Sequence, residues 1–363
     1  MGQKVRAAVL EAPSRMVIRE FDMPEIGPDD GLLKVEMAGV CGTDPSIYTG
    51  KIKYGDLPLI LGHEILGRIA KVGANASKRW GVKEGDRVIM EAVIRCGYCS
   101  RCLVGDYRFC ENIQSYGTFV SCDVPPHLWG AYAEYMYLAP GVIPHKISEK
   151  VPAEAAVLVN AVVANSIHWG RLVGDFCIED AVVIQGAGQQ GLCLTIVAKA
   201  SGCHPIIVTG LSSDANRFEL AREFGADYTI NVEEEDVVER VRGLTNGRMA
   251  DVVVDVSGST KGIQTSVNLI KKRGTVVVPA TTGTQTQTPL IMDKLVHEDI
   301  KLVGIFASDA RVMGKAVKLV ESGKYAFHKI VTHKFPLEEA EMAVKTTGGY
   351  FKDAHSIKCV VVP

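Results

Sequence analysis

The chain has 363 residues, 47% hydrophobic and 23% charged, with a formal net charge of −2 and a sequence pI near 6.5. That length exceeds one ordinary hydrophobic core and predicts two domains. The balanced charge excludes the basic surplus that binds nucleic acid or anionic membrane, and no apolar run reads as membrane-spanning.

At the start, Met1-Gly-Gln-Lys-Val-Arg6 has no apolar signal core. Arg6 stands where a myristoylation signal needs Ser or Thr, so Gly2 reads as an ordinary glycine. Residues 1 to about 155 are rich in Gly, Pro and short strand-like runs, such as Val5–Leu10 and Gly85–Met90. Within them lie Cys41, in a Gly-Val-Cys-Gly-Thr-Asp turn, and Gly62-His63-Glu64. A thiolate, an imidazole and either a carboxylate or water suit a zinc ion with an open position. From spacing alone that is only suggestive, because a lone His in an apolar stretch is more often structural.

Cys96, Cys99, Cys102 and Cys110 follow, separated by two, two and seven residues. Four thiolates at that density suit a tetrahedral zinc. Of the other cysteines, Cys122, Cys177, Cys193, Cys203 and Cys359 lie scattered, mostly among apolar neighbours. The pattern is that of a reducing compartment, and the cytoplasm is the expected location.

The texture changes near Pro152. Strand-like Ala181–Gln185, Pro205–Thr209, Asp251–Val256 and Thr275–Val278 are separated by helical patterns, one from Gly191 to Ala200 and one near Asn216 to Phe224. Short continuous apolar strands between helices predict a parallel sheet covered on both faces. A helix is expected over Arg311–Glu321 and a final strand over Lys358–Val362, which returns to the first domain.

Gly186-Ala-Gly188-Gln189-Gln190-Gly191 fits the dinucleotide fingerprint, directly after a strand and opening a helix. Gly186 permits the tight turn, Gly188 lets backbone approach a pyrophosphate, and Gly191 allows close helix–sheet packing. The acid expected at the end of the next strand is replaced by Gly210. Ser212, Ser213 or Asp214 can serve the ribose instead, and Asp214 reads equally as a helix cap. Arg217 is the first cation after that strand, so NAD is favoured and NADP stays open.

Gly39-Val-Cys41-Gly-Thr-Asp44, Gly62-His63-Glu64, the four-cysteine loop and the Gly186–Gly191 fingerprint resemble, in order and spacing, the zinc-containing medium-chain alcohol dehydrogenases. The resemblance covers essentially the whole chain, and the combined motifs are highly specific. It implies an α/β fold: a β-rich, GroES-like catalytic domain over 1–158 and 305–363, and a Rossmann, doubly wound parallel-sheet cofactor domain over 159–304. It implies two zinc ions per subunit. Cys41, His63 and the nearby Glu64 serve the catalytic one, and Cys96, Cys99, Cys102 and Cys110 hold the structural one. Thr43 hydrogen-bonds the alcohol oxygen and begins proton removal, and Asp44 orients His63. Gly186, Gly188, Gln189, Gln190, Gly191, Gly210, Ser212 and Arg217 line the cofactor.

Two departures stand out. Ser46 occupies the place of a relay histidine, and Ala161, beside Asn160, occupies that of a further zinc ligand. Family members acting on polyols or threonine usually carry a carboxylate at the latter position. The expected reaction is therefore interconversion of an alcohol, secondary and cyclic or bulky, with its ketone or aldehyde. Trp129, Phe119 and Tyr48 either line an apolar pocket or are ordinary core aromatics. Alternatives are a polyol, sugar or amino-alcohol dehydrogenase, a zinc-free NADPH enone reductase, and a noncatalytic dinucleotide-binding protein. The expected partner is a small-molecule alcohol or carbonyl compound, with neither nucleic acid nor membrane. A homo-oligomer, dimer or tetramer, is expected from the family. His145 and His168 carry no motif support.

Overall fold

The apolar runs between residues 182 and 304 build one six-stranded, all-parallel sheet. Its spatial order is Tyr228–Asn231, Ile206–Gly210, Val182–Gln185, Ala250–Asp255, Ile270–Val278, Lys301–Gly304. Numbered along the chain this is 3-2-1-4-5-6, the doubly wound order whose direction reverses beside the first strand. A ligand crevice is expected where the carboxyl ends of Val182–Gln185 and Ala250–Asp255 part. The strands read as continuous apolar runs because both faces are covered: all four residues of Val182–Gln185 are buried. The helix Gln189–Ser201 buries every residue from Gly191 to Ala198 and ends at Gly202, whose φ of 81° is left-handed. The strand expected over Thr275–Val278 begins earlier, at Ile270, which already pairs with Ala250; exposed Lys272 and Arg273 lie in the irregular stretch before pairing resumes at Thr275.

Residues before and after this segment build the other unit. Its largest sheet runs Pro144–Lys146, Arg87–Met90, Glu64–Val72, Gly31–Gly39, Lys358–Val362, Val331–Pro336, with Tyr135–Leu138 also pairing Gly31–Gly39. The final strand does return: Val360 pairs antiparallel with Gly39, and Val361 with Ala38. Lys4–Ala12, Arg15–Asp22 and Leu59–Ile60 form a smaller sheet. The division falls at Met1–Asn160 with Asp309–Pro363 on one side and Ala161–Ser308 on the other.

The computed structural model describes residues 4–283 and 286–363, and Gly2 lies outside them. Among the described residues, one helical stretch, Ala153–Val173, is long and apolar enough to cross a membrane, against the expectation of none. Asn160, Asn165 and His168 interrupt it in the sequence and hid its length. Its most apolar window is 67% buried inside the protein, as a core helix is. Val159–Ala164 and Ile167–Val173 are π-helical, a geometry that often marks functional positions. All ten cysteines are free thiols.

Candidate active site

The turn after Gly31–Gly39 carries Cys41 and Thr43 into a five-residue helix, Asp44–Tyr48, with Pro45 in its first turn. Asp44 is completely buried, and its Oδ2 accepts from the Cys41 N–H (2.8 Å) and the Tyr132 hydroxyl (2.9 Å). Its Oδ1 lies 3.4 Å from His63 Nδ1. On the other side of the ring, His63 Nε2 lies 3.4 Å from Thr43 Oγ1. Gly62, at φ 91°, makes this closure possible: a Cβ there would lie 2.6 Å from the Tyr132 ring.

Burial acts to lower the His63 pKa, but Asp44, Cys41 and Glu64 outweigh it and push it up to about 10. Burial raises the Asp44 pKa, against the pull of His63 and its two hydrogen bonds. The pocket therefore favours positive charge at the imidazole. A divalent cation fits the same field, and a thiol, an imidazole and a carboxylate are a donor set for zinc. Glu64 Oε1 is buried and has no hydrogen-bond partner among the described residues, which also suits an ion-binding site.

Glu64 is less available than the sequence reading assumed. Its Oε2 is 2.6 Å from Lys358 Nζ, and both side chains are essentially inaccessible. Lys358 also donates to the Val40 carbonyl (2.9 Å). The structure thus joins Cys41, Thr43, Asp44 and His63, and holds Glu64 beside them in an ion pair. Neither Lys358 nor Tyr132 was singled out from sequence. A lysine opening the apolar run Lys358-Cys-Val-Val-Val was the available signal. Ser46 sits half-buried one turn on, with its N–H bonded to the Thr43 carbonyl (3.0 Å).

The ligand atoms of Cys96, Cys99, Cys102 and Cys110 all lie within 4.8 Å of one another, the one such group among the described residues. Burial acts to raise the Cys96 pKa, yet backbone N–H groups of Tyr98 and Cys99 and the Asn112 side chain lower it to about 6. Burial pushes Cys102 up to about 12. The lobe is tied to its surroundings by Tyr107, which donates to Glu91 Oε2 (2.5 Å). His145 Nε2 meets the other oxygen of Glu91 at 2.7 Å, which gives that unassigned histidine a structural place.

In the parallel-sheet unit, Gly186 turns at φ 106° and Gly188 is open on its Cα side. A Cβ on Gly191 would fall 1.8 Å from the Gly186 carbonyl oxygen, so only glycine lets the helix start this close. Gln189 and Gln190 open the helix, and Gln190 Nε2 donates to the Ala161 carbonyl (2.8 Å). Ala161 itself offers no donor atom. Gly210 ends its strand against Asp214, whose Oδ2 accepts from the Leu211 N–H (2.9 Å). Asp214 thereby closes the turn Ser212–Asp214 but makes no side-chain cap bond to the helix Ala215–Glu223 that it precedes, and its Oδ1 pairs with Arg217 (2.8 Å). The Ser212 N–H donates to Glu233 Oε2 (2.8 Å), a carboxylate the sequence reading missed. His168 Nδ1 and Trp169 Nε1 both approach the Ala307 carbonyl (2.9 and 3.2 Å).

Two of the three candidate pocket aromatics are core. Tyr48 is 1% exposed and donates to the Ser14 carbonyl and to Glu341. Trp129 donates to the Val124 carbonyl and packs edge-on against Tyr137. Half-buried Phe119 stacks on exposed Tyr54.

Residues 27–148 match the alcohol dehydrogenase GroES-like domain, and residues 191–322 match the zinc-binding dehydrogenase domain. The chain is 38% identical to the probable alcohol dehydrogenase of Mycobacterium tuberculosis, over 100% of this chain and 99% of that one. It is 30% identical to the sorbitol dehydrogenase of Bacillus subtilis, over 94% and 93%. A zinc-binding dehydrogenase structure from Sinorhizobium meliloti, bound to NADP, superimposes with a TM-score of 0.89 at 25% identity, covering 99% of this chain and 100% of that one.

Proposed function

The chain belongs to the zinc-containing medium-chain alcohol dehydrogenase family, and from that premise we propose that it interconverts a secondary alcohol and its ketone with NAD. The observation that carries the proposal is the cluster of Cys41, Thr43, Asp44 and His63, joined by contacts of 2.8 to 3.4 Å. Cys41 and His63 are the residues proposed to hold the catalytic zinc, with Glu64 available if it leaves Lys358. Bound there, zinc supplies Lewis acidity that makes an alcohol hydroxyl more acidic. Asp44, set against Nδ1, leaves Nε2 as the ligating nitrogen of His63. The Thr43 hydroxyl takes the substrate proton, and Ser46, one helical turn on, is the proposed exit toward solvent. The dinucleotide, cradled by Gly186–Gly191, carries the hydride.

Cys96, Cys99, Cys102 and Cys110 are proposed to hold a second, structural zinc, for two per subunit. NAD is favoured over NADP because Asp214, on the loop beyond Gly210, and Glu233, which follows the next strand and accepts from that loop's Ser212 N–H, set two carboxylates against a 2′-phosphate. Arg217, the nearest cation in sequence, is already paired with Asp214. The absence of a carboxylate at Ala161 favours a less polar, cyclic or bulky alcohol. The likeness to sorbitol dehydrogenase supports a polyol as the second reading. We place the protein in the cytoplasm, where four clustered thiols stay reduced. A homo-oligomer is proposed from the sheet edge: Lys301–Gly304 is an outer strand with Leu302 exposed, and Ile291, Met292 and Val296 nearby in sequence are exposed too. A second copy supplies an identical edge, and light scattering tests this directly.

The deciding experiment is zinc per chain by elemental analysis, with an alcohol panel and NAD. About two zinc ions and turnover of secondary alcohols support the proposal. About one zinc and no turnover, unchanged on adding zinc, would move the noncatalytic reading ahead.

A further inference from the structure

The usual place of a ribose-reading acid is closed here as well as unfilled. A Cβ on Gly210 would fall 2.7 Å from Asp214 Oδ2 and 3.0 Å from the ring of Phe218, which is buried. Asp214 is held where it stands, because Oδ2 accepts from the Leu211 N–H (2.9 Å) and Oδ1 from Arg217 (2.8 Å). Both of its oxygens are thus engaged inside the loop. A dinucleotide still brings the adenosine ribose hydroxyls to the end of Ile206–Gly210, and they need an acceptor there.

Another carboxylate reaches the same loop from the neighbouring strand. Gly210 pairs with Asn231, the last residue of Tyr228–Asn231, and its carbonyl accepts from the Val232 N–H (3.0 Å). Asn231 Nδ2 donates to Ser212 Oγ (3.0 Å), and Asn231 Oδ1 accepts from the Glu233 N–H (3.1 Å). These contacts stitch the two loops together and set Glu233 Oε2 2.8 Å from the Ser212 N–H. The hydroxyl and N–H of Ser212 hold the Glu233 carboxyl below its ordinary pKa, so it is charged at neutral pH. A carboxylate has about four lone-pair sites, and Glu233 is exposed, so acceptor capacity stays open to a ligand. Of the acids that follow, Glu235 pairs with Arg240 (2.8 Å) and Asp236 caps the helix Val237–Leu244.

We infer that Glu233 takes over the task of the missing acid: it is the specificity-determining residue that accepts the adenosine ribose 2′-hydroxyl and, by its charge, turns away a 2′-phosphate. The inference rests on the reading that Gly186–Gly191 binds the dinucleotide. The acid then comes from one strand further along the sheet than the fingerprint leads one to expect, and Asp214 only shapes the turn.

The test is equilibrium binding of NADH, NADPH and ADP to the wild type, Glu233→Gln and Glu234→Gln, by calorimetry. Glutamine keeps the size of the side chain and an acceptor for the Ser212 N–H, and removes the charge. The wild type should prefer NADH. In Glu233→Gln, NADH and ADP should weaken together by about tenfold, the scale of one charge-assisted hydrogen bond, and NADPH should bind more tightly. The parallel loss with ADP places the contact in the adenosine half, which the two ligands share. Glu234→Gln makes the same change of charge one residue on and should keep the wild-type preference. A wild type that prefers NADPH, or an unchanged ratio of NADH to NADPH affinity in Glu233→Gln, overturns the inference. So does weaker NADH with unchanged ADP, or an equal shift in Glu234→Gln, which would assign the effect to the net charge of the loop. If the wild type binds none of the three, the cofactor reading itself has failed.

Discussion

The four-cysteine lobe and the Cys41–His63 pocket gather soft ligands in opposite ways. The lobe takes all four from fifteen consecutive residues and brings their sulfurs within 4.8 Å of one another. The pocket takes a thiol and an imidazole from separate segments and surrounds them with groups that ligate nothing: Asp44, Tyr132 and Lys358. A closed set of four suits a structural ion, and an incomplete set leaves room for a reactant. The contrast teaches that supporting residues, more than ligands, distinguish the proposed reactive site.

The sharpest way to break this comparison is to remove ligands from each side. Cys41→Ala or His63→Ala should reduce turnover by about a thousandfold or more, since several kcal/mol of Lewis-acid assistance is lost. NADH affinity measured by calorimetry should stay near wild type in both. Turnover within tenfold of wild type would sink the zinc assignment. Cys102→Ser should instead cost folding, read as early loss of near-UV signal and aggregation, with any soluble fraction retaining one zinc fewer.

Next in size is the buried ion pair. Lys358→Met leaves Glu64 charged and unpartnered inside the protein, which should cost about 3–5 kcal/mol in urea denaturation. Adding Glu64→Gln should return most of that loss, because the uncompensated charge is gone. A double variant no more stable than Lys358→Met would mean that lysine acts through its bond to the Val40 carbonyl instead.

Smaller effects probe the supports. Tyr107→Phe removes a buried hydroxyl from Glu91, and should cost about 1–2 kcal/mol and speed zinc release to a chelator. Ser46→Ala should lower turnover only a few-fold, with the loss largest at low pH if Ser46 passes the proton outward. No change at any pH would send the relay through water alone.

Much of this was legible in the chain. The parallel sheet was readable because strands buried on both faces are uninterrupted apolar runs, as in Ile206–Gly210. The cysteine lobe was readable because its geometry is local. What escaped was nonlocal or polar. Lys358 looked like the edge of a strand, and its partner lies nearly three hundred positions away. Tyr132 became visible only with Asp44 beside it. Trp129 and Tyr48 were candidates for a substrate pocket, and hydrogen bonds to Val124 and Glu341 hold them in the core. Asp214 had two equal readings, and its contact with the Leu211 N–H, which closes the turn Ser212–Asp214, belonged to neither of them.

The late return of Lys358–Val362 to Gly31–Gly39 has a consequence for biosynthesis. Gly39 leaves the ribosome early and meets its partner Val360 some 320 residues later. At about 10 residues per second that interval is roughly half a minute. The intervening stretch Ala161–Ser308 is continuous and can fold while it emerges. The first sheet, by contrast, waits with an open edge beside its central strand. During that wait the nascent chain is the form most exposed to misassembly, and the form on which a chaperone would act.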